Sequence, residues 1–164
     1  MLLLLTALSF GVFIGYLIFA LTRLMIVPRS LSDTYYMLGR QGKLFVLALP
    51  LMALLILPGI IGVTPDDWTI IAFLCPAAIA FVGVAAEFKI TLALRVHETA
   101  AITAATMGVA WTMLFSGSWW VVPVVLAVMA ILGIRTRSLL PCIIFWLEMA
   151  AFFSVYVSLF LALI

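Results

Sequence analysis

The chain has 164 residues, of which 68% are hydrophobic and only 9% are charged, and its formal net charge is +2. Soluble domains carry roughly 25% charged residues, and a small fold leaves much of its surface in water, so this composition excludes an ordinary soluble protein. The eight basic residues are scattered between apolar runs, with no basic patch that also holds aromatic residues, so no nucleic-acid partner is indicated.

Long unbroken apolar runs predict membrane-spanning helices. In lipid, every backbone N–H and C=O group needs a partner within the protein, so only helices and closed barrels span a bilayer. Barrel strands alternate in polarity over about ten residues, and these runs do not alternate. We therefore predict an all-α, polytopic integral membrane protein with about six transmembrane helices in a single bundle. Residues 1–164 then form a single transmembrane domain, whose first partner is the lipid bilayer.

Six apolar segments approach the roughly 20 residues that a 30 Å hydrocarbon core requires. The fourth and fifth segments are short, so the sequence leaves open whether they cross completely. The longest polar stretch between segments lies at residues 28–42. The predicted spans are residues 1–27, 43–63, 68–88, 99–115, 119–134 and 139–164.

The basic residues orient this arrangement. With six spans, the first, third and fifth loops lie on one side of the membrane, and the second and fourth lie on the other. The second loop carries Asp66 and Asp67, and the fourth carries no charge. All eight basic residues flank the odd-numbered loops: Arg23, Arg29, Arg40, Lys43, Lys89, Arg95, Arg135 and Arg137. The positive-inside rule then predicts cytoplasmic odd-numbered loops and both termini on the opposite side.

The first predicted span could be mistaken for a secretory signal peptide. Such a peptide carries positive charge before its apolar region. Here the first five residues have no charged side chain, and Arg23 follows the apolar run. This reversed order leads us to expect a retained span.

Glu148 is the most informative single residue. It lies about eleven residues after Arg137, roughly 16 Å along a helix, which is near the midplane of the sixth predicted span. An isolated carboxylate at that depth costs a few kcal/mol or more, so we expect it to face other helices or water. It serves either as a proton, cation or substrate site, or as a carboxyl group bound to a neighbouring helix. The candidate partners are Thr103, Thr106 and Ser154.

A second candidate is a polar cluster at the cytoplasmic ends of the third and fourth spans, joined by Asp33 of the first loop. Its members are Asp33, Glu87, His97 and Glu98. One histidine with carboxylates can bind a metal or perform acid–base chemistry. Because His97 is the only histidine, a two-histidine metal site within one subunit is excluded, and we predict neither metal nor cofactor. Interfacial charge pairing is the alternative.

Two local patterns predict packing and a helix start. Ala100, Ala104 and Gly108 recur every fourth residue, which lets helix backbones approach closely. This favours a central fourth span, with a homo-oligomer interface or another membrane protein as the alternative partner. The sequence of residues 30–33 matches a capping box and predicts a short interfacial helix that carries Tyr35 and Tyr36.

The sequence leaves three functional classes open. A transport or channel-like protein is favoured by Glu148, by prolines within the spans and by the polar fourth span. A structural, assembly or regulatory membrane partner is favoured by the lack of a soluble domain and of a recognisable motif. An intramembrane lipid-modifying enzyme built on the polar cluster is the third class, and no nucleophile with an adjacent base stands out to support it.

Overall fold

The computed structural model describes residues 1–87 and 91–164, and for residues 91–95 it describes the backbone alone. The chain is 82% helical and the described residues contain no strand, which confirms the all-α prediction. Seven α-helices follow one another in this part of the chain. They are α1 (Leu2–Leu24), α2 (Asp33–Met37), α3 (Lys43–Val63), α4 (Thr69–Ala85), α5 (Thr91–Leu114), α6 (Val121–Arg135) and α7 (Ile143–Leu163).

Four segments of the described chain are helical, long and apolar enough to cross a membrane. They are Leu2–Leu24, Gly39–Val63, Asp66–Ala85 and Ile143–Leu163, and they contain α1, α3, α4 and α7. The shorter α6 has 15 residues and is also apolar. The length and composition of these helices are those of a membrane protein.

Helices α3, α4, α5 and α7 surround the centre of the bundle. Helix α4 packs against both α3 and α5, and α7 packs on α5, α1 and α3. The outer helices are α1, which lies against α3 and α7, and α6, which lies mainly against α7. At Gly108 an added Cβ would lie 2.9 Å from Val155 Cγ2 and 3.2 Å from Cys75 Sγ. The small-residue face of α5 therefore packs within the bundle.

The odd-numbered loops meet at one end of the bundle, which we call the basic end. The Tyr35 hydroxyl of the first loop (residues 25–42) donates to Glu87 after α4 at 3.0 Å. The Phe145 N–H at the start of α7 donates to the Arg29 carbonyl at 2.9 Å. At the other end, the Trp68 and Phe115 rings lie 5.3 Å apart, so the second and fourth loops are neighbours there.

Candidate functional site

A small chamber lies at the centre of the bundle, enclosed by α3, α4, α5 and α7. Its volume is about 40 Å³, enough for about two water molecules. Its walls are mostly apolar and include Leu49, Ile79 and Phe152, while Glu148 is the one charged side chain among the described lining residues. The chamber extends along α7 from Glu148 to Tyr156, which is about 12 Å at the helical rise.

Glu148 lies at the end of the chamber nearest the basic end. It is the sixth residue of α7, about 7 Å from the start of the helix. The sixth predicted span begins at residue 139, whereas α7 begins at Ile143, because the residues between α6 and α7 form turns. The N–H groups of Ser138 and Leu139 both donate to the Gly133 carbonyl. Glu148 is therefore nearer the start of its helix than the predicted span implied.

The partner of Glu148 is a backbone amide of the first loop. The Leu31 N–H donates to Glu148 Oε2 at 2.6 Å, and Leu31 is 2% exposed. No hydrogen bond to Oε1 is present among the residues that the structure describes. Glu148 is half-buried beside the chamber, and its carboxylate ties the first loop to α7.

None of the partners predicted for Glu148 is hydrogen-bonded to it within the described part of the chain. The Thr106 hydroxyl donates to the Ile102 carbonyl of its own helix at 2.7 Å. Ser154 is buried, and its hydroxyl has no partner in the described part of the chain. Thr103 lies half-buried on α5, and its carbonyl accepts from Thr106. The structure therefore does not join these side chains to Glu148, and the α5 wall of the chamber is built from alanines.

Further contacts hold the first loop against the bundle. Besides the Arg29–Phe145 bond, the Cys142 thiol donates to the Val27 carbonyl at 3.3 Å. The Thr34 side chain is fully buried and its hydroxyl is paired with the Tyr16 hydroxyl. The first loop thus covers the basic end of the chamber instead of lying free at the surface.

The short helix predicted within the first loop is present, but its N-cap is Ser32 and not the Ser30 that the capping-box pattern predicts. The Asp33 N–H donates to Ser30 Oγ at 3.2 Å, and α2 begins at Asp33 and carries Tyr35 and Tyr36. Partial desolvation and the neighbouring Glu87 carboxylate raise the pKa of the Tyr35 hydroxyl. It therefore stays protonated near neutral pH and serves as the donor to Glu87.

Among the described residues, no hydrogen bond joins the members of the polar cluster predicted at this end to one another. His97 is 7% exposed, and its Nδ1 lies 3.0 Å from the Val82 carbonyl. Glu87 and Glu98 are exposed and Asp33 is half-buried. Across residues 1–87 and 91–164, no three His, Cys, Asp or Glu residues are grouped so as to hold a metal ion. Lys89 lies outside the described residues, and so does the side chain of Arg95.

A hydroxyl pair closes the far end of the chamber. The Tyr156 hydroxyl lies 2.7 Å from Ser9 Oγ, and Ser9 donates to the Met52 carbonyl at 2.7 Å. Since the single Ser9 proton is used there, Tyr156 is the donor to Ser9. This chain of hydrogen bonds links α7, α1 and α3 across 147 positions of sequence. This contact is not predictable from the sequence, because a serine and a tyrosine so far apart carry no signal of contact.

Comparison with known proteins identifies no relative of this chain. The chain matches no family model, no curated protein and no solved structure. Any function has to be inferred from the chamber, Glu148 and the first loop themselves.

Proposed function

We propose that the chain is a small transport or channel-like membrane protein that works through the central chamber, and that all six long helices cross the bilayer. Four helices meet the length and composition that crossing requires. α5 has 24 residues, about 36 Å, and packs between α4 and α7. α6 is shorter, but it is apolar and continues the hairpin with α7. Six crossings account for the alternation of loops between the two ends.

The proposed orientation has the basic end in the cytoplasm. Six of the basic residues belong to the described loops and helix ends there: Arg23, Arg29, Arg40, Lys43, Arg135 and Arg137. Exposed tryptophans stand at the opposite end: Trp68, Trp119 and Trp120. Basic residues concentrate on the cytoplasmic side of membrane proteins, and tryptophans concentrate at the interfaces. The basic residues support this orientation, and the tryptophans support an interfacial position for the opposite end.

The observation that carries the proposal is the placement of Glu148 between the chamber and the first loop. An ionisable group inside a membrane bundle is by default a candidate for a substrate, ion or proton site. Here the Glu148 carboxyl group lies beside an otherwise apolar cavity. Its Oε1 accepts no hydrogen bond from the described residues, so this oxygen can bind a cation or a proton. The Leu31–Glu148 bond at the same time holds the loop that closes the cavity.

This arrangement supports a gated mechanism. The chamber holds about two water molecules as it stands, so a larger substrate would enter only after the first loop moves. Movement of the loop away from α7 requires the Leu31–Glu148 bond to break. A ligand or proton that competes for the carboxylate therefore favours opening, because it binds the open state better than the closed one.

The test is flux through the purified protein in liposomes, with protons and potassium ions as the probes. Glu148→Gln keeps an acceptor for the Leu31 N–H and removes the charge. We expect it to lower flux about tenfold or more with little change in melting temperature, since a charged site is worth more than 1.4 kcal/mol. The matched control is Glu98→Gln, an exposed carboxylate on α5, which should leave flux unchanged. Wild-type flux no greater than that of empty liposomes, or equal flux in both variants, would contradict the proposal.

A further inference from the structure

We propose that a second cavity, at the surface of the basic end, binds the headgroup of a zwitterionic phospholipid that carries a primary amine. The cavity lies between the first loop and the start of α7, and we call it the interfacial groove. This lipid site is separate from the chamber and from the transport role proposed for the chamber. It depends on the basic end lying at a membrane surface, but not on whether anything crosses the chamber.

The interfacial groove is large enough for a small ligand. Its volume is about 390 Å³, within the roughly 300–1,000 Å³ typical of small-molecule sites. One wall is the chain from Ile26 to Arg29, another is α2 with Asp33 and Tyr36, and the third is Pro141 with Cys142. The hydrogen bonds from Cys142 to Val27 and from Phe145 to Arg29 fix these walls relative to each other.

Opposite charges line the same groove. Arg29 is exposed and Asp33 is half-buried, and neither side chain is hydrogen-bonded within the part of the chain that the structure describes. A guanidinium group binds a phosphate diester through two parallel N–H donors, and a carboxylate accepts hydrogen bonds from an ammonium group. The exposed Tyr36 phenol supplies a further donor to phosphate. A ligand with both a phosphate and a primary ammonium group matches this pair, whereas a purely anionic ligand would face the Asp33 carboxylate.

The rim of the groove indicates a lipid as the source of that headgroup. Ile26, Met37 and Leu140 are exposed apolar side chains, and Leu140 is 82% exposed. Ile143 and Ile144 continue this exposed apolar surface onto the first turn of α7. Acyl chains can lie along this surface while the headgroup occupies the groove. A soluble phosphate compound would gain nothing from the apolar rim, whereas a phospholipid gains contact for its acyl chains.

The experiment measures lipid binding to the full chain in detergent micelles by native mass spectrometry. The probes are phosphatidylethanolamine, phosphatidylglycerol and phosphatidylcholine with identical acyl chains. We expect the wild type to retain phosphatidylethanolamine in preference to the other two. Arg29→Ala should weaken retention of all three lipids about tenfold or more, as loss of a charge-assisted hydrogen-bonded pair implies. Asp33→Asn should abolish the preference for phosphatidylethanolamine, because retention of that lipid falls while retention of phosphatidylglycerol rises once the carboxylate that its anionic headgroup faces is removed.

Two control variants test whether lost lipid binding comes from the groove itself, from a general loss of surface charge or from misfolding. Arg40→Ala removes an exposed arginine of the same loop that does not line the groove, and it should bind lipid like the wild type. Arg29→Lys keeps the charge without the planar donor pair and should bind with intermediate affinity, so it tests the site if Arg29→Ala fails to fold. Equal loss in Arg29→Ala and Arg40→Ala, the absence of an ethanolamine preference in the wild type, or equally strong binding of chain-free phosphoethanolamine would each overturn the proposal. Because no flux is measured, this outcome is independent of the transport test.

Discussion

At the scale of single residues, the bond between the Leu31 N–H and the Glu148 carboxylate does two things at once. It satisfies a backbone donor that is buried away from water, as nearly every buried N–H must be. It also places the only charged side chain found among the described chamber residues against the loop that covers the chamber. Glu148 is visible in the sequence because a carboxylate interrupts an apolar run. Leu31 is invisible there, because every residue except proline has an amide and 117 positions separate the pair.

The first prediction compares two substitutions of Glu148. Gln retains an oxygen that can accept from the Leu31 N–H, whereas Leu does not. Glu148→Leu should therefore destabilise the protein relative to Glu148→Gln by about 1–3 kcal/mol, the cost of an unsatisfied buried donor. Thermal unfolding in detergent and hydrogen exchange at the Leu31 amide measure this difference. Equal exchange rates in the two variants would mean that the bond does not hold the loop.

The second prediction compares the loss of stability caused by replacing Ser9 with the loss caused by replacing Tyr156. Tyr156→Phe removes one donor and leaves the Ser9–Met52 bond intact, so its cost should be about 0.6 kcal/mol, the average for such bonds between membrane helices. Ser9→Ala leaves the buried Tyr156 hydroxyl without its acceptor, while the Met52 carbonyl keeps its bond within α3, so the substitution should cost about 1–3 kcal/mol. Reversible unfolding of both variants in mixed micelles gives the comparison. A larger loss in Tyr156→Phe would show that the proton donors are assigned in the wrong direction.

At the scale of helices, hydropathy predicted some boundaries and missed others for physical reasons. The second predicted span and α3 cover the same residues, Lys43–Val63, because polar turns stand at both ends. The fourth predicted span begins at residue 99, but α5 begins at Thr91, since helical hydrogen bonding continues through charged residues where an apolar run stops. The second difference is α7, which starts four residues later than the predicted span because of the turns before it. The sequence predicts the side on which the first loop lies but not its packing against α7, because those contacts have no periodicity.

The third prediction tests the close contact between α3 and α4. An added Cβ at Gly83 would lie 2.8 Å from Pro50 Cδ and 2.9 Å from Leu49 Cβ, too close for an atom to fit without a shift of α3. Gly83→Ala should therefore destabilise the protein by about 1–3 kcal/mol. The matched control is Gly15→Ala on α1, where the Cβ meets nothing within 4 Å, and where alanine should stabilise the helix by up to about 1 kcal/mol. Melting temperatures moving in the same direction would contradict this packing.

At the scale of the whole molecule, the two ends of the bundle differ in charge and in the loops that lie there. The end at which the loop between α5 and α6 lies distinguishes six crossings from four. If only α1, α3, α4 and α7 cross, the α5–α6 hairpin stays on the side of the basic end, and Trp119 is exposed on that side. If all six cross, Trp119 shares the side of Asp67. The side of the membrane on which Trp119 lies therefore shows whether the predicted six-span topology is correct.

The last prediction uses single cysteines at Gln41, Asp67 and Trp119, all exposed positions. Cys75 and Cys142 are buried and free, so they should react slowly, and replacing both with alanine removes the remaining background. In intact cells, a membrane-impermeant maleimide should label the Asp67→Cys and Trp119→Cys variants, and should label Gln41→Cys only after permeabilisation. The positive-inside rule sets this direction because Gln41 lies beside Arg40 and Lys43. Labelling of Trp119→Cys together with Gln41→Cys would instead establish four crossings. In that case α5 would have to be stabilised outside the bilayer, and the chamber that it helps to enclose would no longer be closed on all sides by membrane-spanning helices.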